Sequence, residues 1–106
     1  MYKLSFYVPE THLEAVKAAV FATGAGRYKA YDNCCWQVPG VGQFRPLDNS
    51  QPFIGTLGQL EQVDEYKVEM ICKANVITGA VQALLKAHPY EEPAYDIVKI
   101  LMAEDF

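Results

Sequence analysis

Apolar side chains occupy every second position at the start of the chain. Across residues 2–8 this alternation has a period of two, which is typical of a β-strand with one buried face. The residues on that face are Tyr2, Leu4, Phe6 and Val8. Pro9 follows directly and predicts the end of the strand, because proline cannot donate to a sheet ladder.

Between residues 11 and 26 the apolar positions recur every three or four residues, which predicts a helix with one buried face. Its apolar stripe is Leu13, Val16 and Val20. Thr11 and Glu14 have the spacing of a capping box, in which each side chain bonds a free backbone N–H of the first turn. Gly24 and Gly26 predict the stop.

The C-terminal third repeats the order of strand, helix and strand. Residues 61–73 alternate, and Asn75 then predicts the N-cap of a second helix that ends before Pro89. The apolar stripe of this helix is Ile77, Ala80, Val81, Leu84 and Leu85. Gly79 within it predicts close packing at that point. Residues 95–102 predict a last strand with apolar side chains in both alternation sets.

The middle of the chain, residues 27–62, is rich in proline and glycine. Residues 34–38 and 43–47 have the character of two short strands. Residues 39–42, Pro-Gly-Val-Gly, predict a hairpin turn between them. Residues 48–58 follow as a loop with an apolar centre.

The order of elements predicts an α+β fold, the ferredoxin-like split βαβ sandwich, with a long middle β-hairpin loop and one domain over residues 1–106. Two helices can cover only one face of such a sheet. Because the last strand is apolar on both faces, the uncovered face is expected to pack against another subunit. The pattern therefore predicts an oligomer.

Composition narrows the class of function. The chain has 106 residues, 51% of them hydrophobic and 21% charged, with a formal net charge of −4. This balance is typical of a globular protein and disfavours nucleic acid as a partner, since phosphate binding needs a basic face. No apolar run is long enough to span a membrane, and residues 1–8 lack the pattern of a signal peptide. Neither a membrane nor nucleic acid is an expected partner.

The number and spacing of the cysteines indicate a protein of a reducing compartment such as the cytoplasm. There are three, an odd number, and Cys34 and Cys35 are adjacent, so a disulfide between those two would be strained. We expect free thiols, with a disulfide between Cys34 and Cys72 as the alternative.

Three segments together carry a family resemblance. They are residues 40–46 (GVGQFRP), which follow Cys34 and Trp36, residues 52–55 (PFIG), and residues 88–95 (HPYEEPAY). In combination they resemble the domain inserted in the middle of bacterial Nif-three-like (NGG-interacting-factor-three-like) dimetal proteins and the stand-alone relatives of that domain. The third segment is also similar to one in the CutA divalent-ion-tolerance family. The resemblance extends over about residues 2–101.

The resemblance implies a ferredoxin-like fold shared with CutA and PII proteins, a tendency to form trimers, and a regulatory or ligand-sensing role. The dimetal site of the full-length family lies in the flanking domains, on several histidines and acidic residues. This chain has only His12 and His88, far apart in sequence. Two-metal hydrolase chemistry is therefore not carried over, and no catalytic residue is predicted.

Cys35, His88 and Glu91 are the candidate ligands of a divalent metal ion, the one cofactor that the sequence suggests. For His88 itself a structural role is favoured over metal binding, because its imidazole follows the end of the second helix and can help to turn the chain.

Trp36, Arg45, Tyr90 and Glu92 are the candidate contacts for a small ligand. They combine aromatic surface, a cation and a carboxylate, the usual composition of such a pocket. Residues 89–93 begin and end with proline and are therefore stiff, which suits either a prepared binding edge or a structural corner.

These observations predict a small cytoplasmic homotrimer of PII/CutA-like fold. It would act as a regulatory or ligand-binding accessory module without catalysis of its own, with a small ligand or a protein as partner. The alternative is a divalent metal-ion binding protein of CutA type, and an enzyme is the third class considered.

Overall fold

Four strands and two helices make up the chain, and the computed structural model describes all residues from 1 to 106. The elements are β1 (Tyr2–Pro9), α1 (Leu13–Phe21), β2 (Trp36–Phe44), β3 (Glu61–Cys72), α2 (Ile77–Ala87) and β4 (Tyr95–Lys99). The strands form one antiparallel sheet in the order β2-β3-β1-β4. This is the predicted α+β, ferredoxin-like split βαβ arrangement.

The core lies between the two helices and one face of the sheet. Its buried members are Leu4, Phe6 and Val8 of β1, Val68, Met70 and Cys72 of β3, Leu13, Val16 and Val20 of α1, Ala80 and Leu84 of α2, and Ala25. The alternation of β1 and β3 and the helical stripes are thereby confirmed, because a period of two and a period of 3.6 each direct one face to the core. Neither helix is long and apolar enough to cross a bilayer.

The helix ends differ from the predicted caps. A 3₁₀ turn over Glu10–His12 precedes α1, so Thr11 lies inside that turn and its side chain does not cap the helix. The Thr11 hydroxyl instead contacts His12 Nδ1 at 2.9 Å. Val76, not Asn75, precedes α2. Nothing lies within 4 Å of a Cβ built on Gly79, so the predicted close packing there is wrong.

The stop of α1 agrees with the sequence. Gly24 and Gly26 have φ of 101° and 75°, the left-handed region that favours glycine. Leu85, at the edge of the predicted stripe of α2, remains 44% exposed.

β2 is one continuous strand, and the predicted turn at residues 39–42 is wrong. Trp36–Phe44 pairs without interruption with Glu61–Glu69 of β3. Because β2 lies at the edge of the sheet, Pro39 can sit in it without breaking a central ladder. The middle hairpin is instead formed by β2 and β3, with residues 45–60 as its long loop. Cys34 and Cys35 precede β2, and all three cysteines are free thiols.

β4 is shorter than the predicted strand over residues 95–102. It ends at Lys99 because its partner β1 begins at Tyr2, which is paired with Lys99. All five residues of β4 are exposed, and apolar side chains project on both faces, with Ile97 42% and Val98 50% exposed.

Candidate functional site

Two glycines leave a trough on the face of the sheet that the helices do not cover. Gly40 and Gly42 lie on that face of β2, and Gly40 is paired with Glu65 of β3. Neither glycine has a positive φ, so neither position needs glycine for its backbone conformation. A Cβ on Gly40 would meet nothing within 4 Å, whereas a Cβ on Gly42 would coincide with the Glu65 carboxylate. The missing side chains therefore provide space.

This trough is the floor of a cleft of about 800 Å³. One other side is the end of β2 with the loop that follows it, which contribute Phe44, Phe53 and Ile54. The opposite side is the segment between α2 and β4, which contributes Tyr90, Glu91 and Glu92. The volume lies within the range of about 300–1,000 Å³ that is usual for small-molecule sites. Most of the lining is apolar, so the cleft can hold an organic ligand.

Tyr90 joins the two walls through aromatic contacts. Its ring centroid lies 6.3 Å from that of Phe53 and 6.4 Å from that of Phe44, at interplanar angles of 44° and 47°. The backbone N–H of Gln51 also donates to the Glu91 carboxylate at 3.1 Å. The loop after β2 is thus attached to the segment between α2 and β4 by both apolar and polar contacts.

His88 anchors that segment to β1. The Tyr90 N–H donates to His88 Nδ1 at 3.1 Å, so Nδ1 is the unprotonated nitrogen and Nε2–H donates to the Tyr7 carbonyl at 2.7 Å. Burial lowers the pKa of His88 below its ordinary 6.5, and the neutral ring fits both bonds. Both ring nitrogens are therefore occupied by backbone groups.

The Tyr90 hydroxyl and the Glu65 carboxylate are neighbouring polar groups of the cleft. The hydroxyl is buried with no hydrogen-bond partner. Burial raises the pKa of Tyr90, and the nearby Glu65 carboxylate raises it further, so the phenol keeps its proton. Glu65 takes part in none of the three ion pairs of the protein, which involve other acids.

The two cationic side chains that line the cleft are Lys67, which is ion-paired, and Arg45, which is exposed to solvent. Lys67 pairs with Glu69 at 3.0 Å, and this hydrogen-bonded contact raises the pKa of Lys67 and lowers that of Glu69. Arg45 is exposed on the loop after β2 and makes no ion pair.

The structure brings most of the candidate ligand contacts together. Arg45, Tyr90 and Glu92 all line the cleft, together with Glu91. Trp36 is 68% exposed and lies outside it, although on the same face of the sheet.

The candidate metal ligands are not brought together. Cys35 packs against the core and does not line the cleft, and both nitrogens of His88 are hydrogen-bonded to backbone groups. Glu91 already accepts a bond from Gln51. No group of three His, Cys, Asp or Glu side chains could hold a metal ion, so the residues present do not fit one.

Sequence reasoning missed Phe44, Phe53 and Glu65 as cleft residues. The two phenylalanines lie within the GVGQFRP and PFIG segments, which carry the family resemblance. Glu65 has no comparable signal, because its position over Gly42 follows from the pairing of β2 with β3.

A scan against models of protein families found no match. Two curated relatives are named "GTP cyclohydrolase 1 type 2 homolog". The protein from Mycobacterium leprae is 44% identical over 99 residues, which are 93% of this chain and 26% of that protein. The protein from Bacillus subtilis is 43% identical over 98 residues, 92% of this chain and 26% of that protein. The chain thus spans about a quarter of the length of these relatives.

Solved structures show the same relationship. A Bacillus cereus protein related to NIF3 superposes with a TM-score of 0.78 and 38% identity, over 91% of this chain and 24% of that one. CutA from Xylella fastidiosa gives a TM-score of 0.69 at 20% identity, over 96% of this chain and 85% of that one, which shows the shared fold. The chain is therefore a relative of a segment of the NIF3-related proteins, and it has the CutA/PII-like ferredoxin fold.

Proposed function

We propose that this protein is a small cytoplasmic ligand-binding module with a regulatory or accessory role and no catalysis of its own. The observation that carries the proposal is the cleft of about 800 Å³ on the uncovered face of the sheet. Its walls are held together by the Tyr90 aromatic contacts and by the bond from Gln51 to Glu91. A cleft fixed in this way is prepared for a ligand, which lowers the entropic cost of binding.

The proposed assembly is a homotrimer. Large apolar side chains are exposed on both faces of β4 and on the uncovered face of the sheet, where Trp36 is the largest. Apolar surface of this extent is usually buried against another chain. The proposed contact uses β4 and Trp36, none of which lines the cleft, so assembly and ligand binding involve different residues. The trimer is the assembly that the resemblance to CutA and PII proteins implies.

In the proposed accessory role, the protein itself catalyses no reaction and assists a reaction that another domain or protein catalyses. The curated relatives carry a name that refers to GTP cyclohydrolase, and this chain corresponds to about a quarter of their length. Both histidines pack against aromatic rings of the cleft, His12 against Phe53 with ring centroids 5.5 Å apart and His88 against Tyr90 at 4.8 Å, and both nitrogens of His88 are committed to backbone bonds. A divalent-cation role is not part of the proposal, because Cys35, His88 and Glu91 form no common site.

The test is a screen of small organic compounds followed by two-dimensional amide NMR. We expect at least one compound to shift amides of the cleft, among them Phe44, Phe53 and Tyr90. Phe53→Ala should weaken this binding, because the ring is 54% exposed and lines the cleft. Leu57→Ala is the matched control, since Leu57 is 50% exposed on the same loop but does not line the cleft. Shifts confined to other surfaces, or equal effects of the two variants, would contradict the proposal.

A further inference from the structure

We infer that the cleft binds an aromatic cation, a planar ring carrying an amine or amidine group, with the cationic group held by Glu65. This inference rests on the proposed function of the cleft and adds the chemical class of its ligand.

The first support is the position of Glu65. Its carboxylate lies at the floor of the cleft over Gly42, and the space above the neighbouring Gly40 is open. No cation of the protein pairs with it. A carboxylate that lines a mostly apolar cleft is costly to desolvate unless an opposite charge approaches it, and a cationic N–H donor supplies that charge.

The second support is the aromatic lining. Phe53 and Tyr90 line the cleft with rings tilted relative to each other, and Phe53 is 54% exposed. A planar ligand ring can pack against these faces at offset or edge-to-face geometry, and a cation near them gains further attraction from the ring quadrupole.

The third support is the balance of free charge. Lys67 is paired with Glu69, and Glu91 accepts the Gln51 N–H. Of the other charged groups in the lining, Glu65 and Glu92 are negative and Arg45 alone is positive. The unpaired charge is therefore net negative, which favours a cation over an anion.

The Tyr90 hydroxyl is a polar neighbour of Glu65 in the cleft. This buried hydroxyl keeps its proton and lies close enough to Glu65 for the carboxylate to raise its pKa.

The probes are benzamidine, which presents two parallel N–H donors on a planar ring, and benzoate, which has the same shape and the opposite charge. On the full chain we expect benzamidine to bind with a Kd of roughly millimolar order, as suits a ligand of its size. Benzoate should bind at least about tenfold more weakly. Amide NMR titration measures both and locates the bound ligand.

Glu65→Gln should weaken benzamidine binding by about tenfold or more, because it removes the charge while keeping the side-chain shape. Gly42→Ala keeps the charge but displaces the carboxylate, and it should also weaken binding. Glu104→Gln is the control for net charge, since Glu104 is exposed near the C-terminus outside the cleft lining. It should leave the benzamidine Kd unchanged.

The outcomes separate this inference from the proposed function. Equal benzamidine binding by wild type and Glu65→Gln, or tighter binding of benzoate, would overturn the inference while a small-ligand cleft remains. If neither probe binds but other compounds shift the cleft amides, the inference fails alone. If no compound shifts them, both proposals fail.

Discussion

Gly26 joins three parts of the fold through its backbone. Its N–H donates to the Ile71 carbonyl at 2.9 Å, and its own carbonyl accepts the Cys34 N–H at 2.8 Å. Its φ is 75°, and a Cβ there would lie 2.7 Å from the Phe21 ring and 2.8 Å from the Cys34 carbonyl oxygen. The position therefore requires glycine both for its conformation and for the close approach of neighbouring atoms.

We expect Gly26→Ala to lower the free energy of unfolding by about 1–3 kcal/mol, the cost of a strained left-handed residue with steric contact. Gly79→Ala is the contrasting variant, because Gly79 lies in α2 with open space around it. It should raise the free energy of unfolding by about 0.5–1 kcal/mol through helix propensity. Urea unfolding measures both changes, and a Gly26→Ala midpoint equal to that of wild type would contradict the explanation.

His88 makes stability depend on pH near neutrality. Burial lowers its pKa in the folded state below 6.5, so the unfolded chain binds the proton more readily. The contribution of neutral His88 to the free energy of unfolding is present above about pH 6.5 and is lost progressively as the pH falls below that value. A proton on Nδ1 would also face the Tyr90 N–H donor.

The melting temperature should accordingly decrease as the pH is lowered from about 7.5 to about 5.5, an interval that lies above the pH at which most carboxylates titrate. His88→Gln should flatten this slope, because glutamine does not titrate in the interval. His12→Gln, which removes the other histidine, should retain the wild-type slope. A wild-type melting temperature that is constant across the interval would show that His88 does not control it.

At the scale of elements, β2 shows how an edge strand departs from its local pattern. Pro39, Gly40 and Gly42 resemble a turn by residue type, yet the strand runs through them because β3 supplies a complete ladder. An edge position tolerates proline, and glycine on the uncovered face leaves the space that becomes the cleft. The same residues that predict a turn therefore form the floor of the site.

β1, β3, α1 and α2 follow their sequence patterns closely. Each has a regular apolar period long enough to define one face, and the hydrophobic effect directs that face to the core whatever the details of the neighbours. The helix caps differ from the predicted ones: a 3₁₀ turn over Glu10–His12 takes Thr11 away from the start of α1, and Val76 rather than Asn75 precedes α2.

The whole molecule is elongated, with principal extents of 48 × 26 × 24 Å. Part of this length comes from β2 and β3, since Glu61–Asp64 of β3 pair with β2 alone and extend past β1. Exposed apolar β4 lies at the opposite edge of the sheet. A chain of this shape offers an edge and a face for contact with further copies.

We expect a homotrimer of about 36 kDa, three times the 11.9 kDa of one chain, in light scattering at micromolar concentration. Each stable contact should bury more than about 1,000 Å². Ile97→Asp should dissociate the trimer, because it places a charge in the exposed apolar surface of β4. Leu85→Asp is the matched control, since Leu85 is 44% exposed against 42% for Ile97 but lies on α2. A monodisperse wild-type monomer, or equal dissociation by both variants, would contradict this assembly.

The sequence by itself determined the α+β class, the two amphipathic helices, the core faces of β1 and β3, and the stop of α1 at Gly24 and Gly26. These features depend on side-chain periods and backbone preferences within a few consecutive residues, so they can be predicted without knowing the partners. The sequence also picked out Arg45, Tyr90 and Glu92, which the tertiary structure brings to one cleft.

Only the tertiary structure decided the continuity of β2, the end of β4 and the role of Glu65. Each depends on pairing between residues that are distant in sequence: β2 on its ladder with β3, Lys99 on the start of β1, and Glu65 on its position over Gly42. Cross-strand register has no local signature at an edge, because the exposed side of such a strand imposes no apolar period that would fix it. The site forms where these long-range pairings meet, and for that reason its floor could not be derived from the sequence.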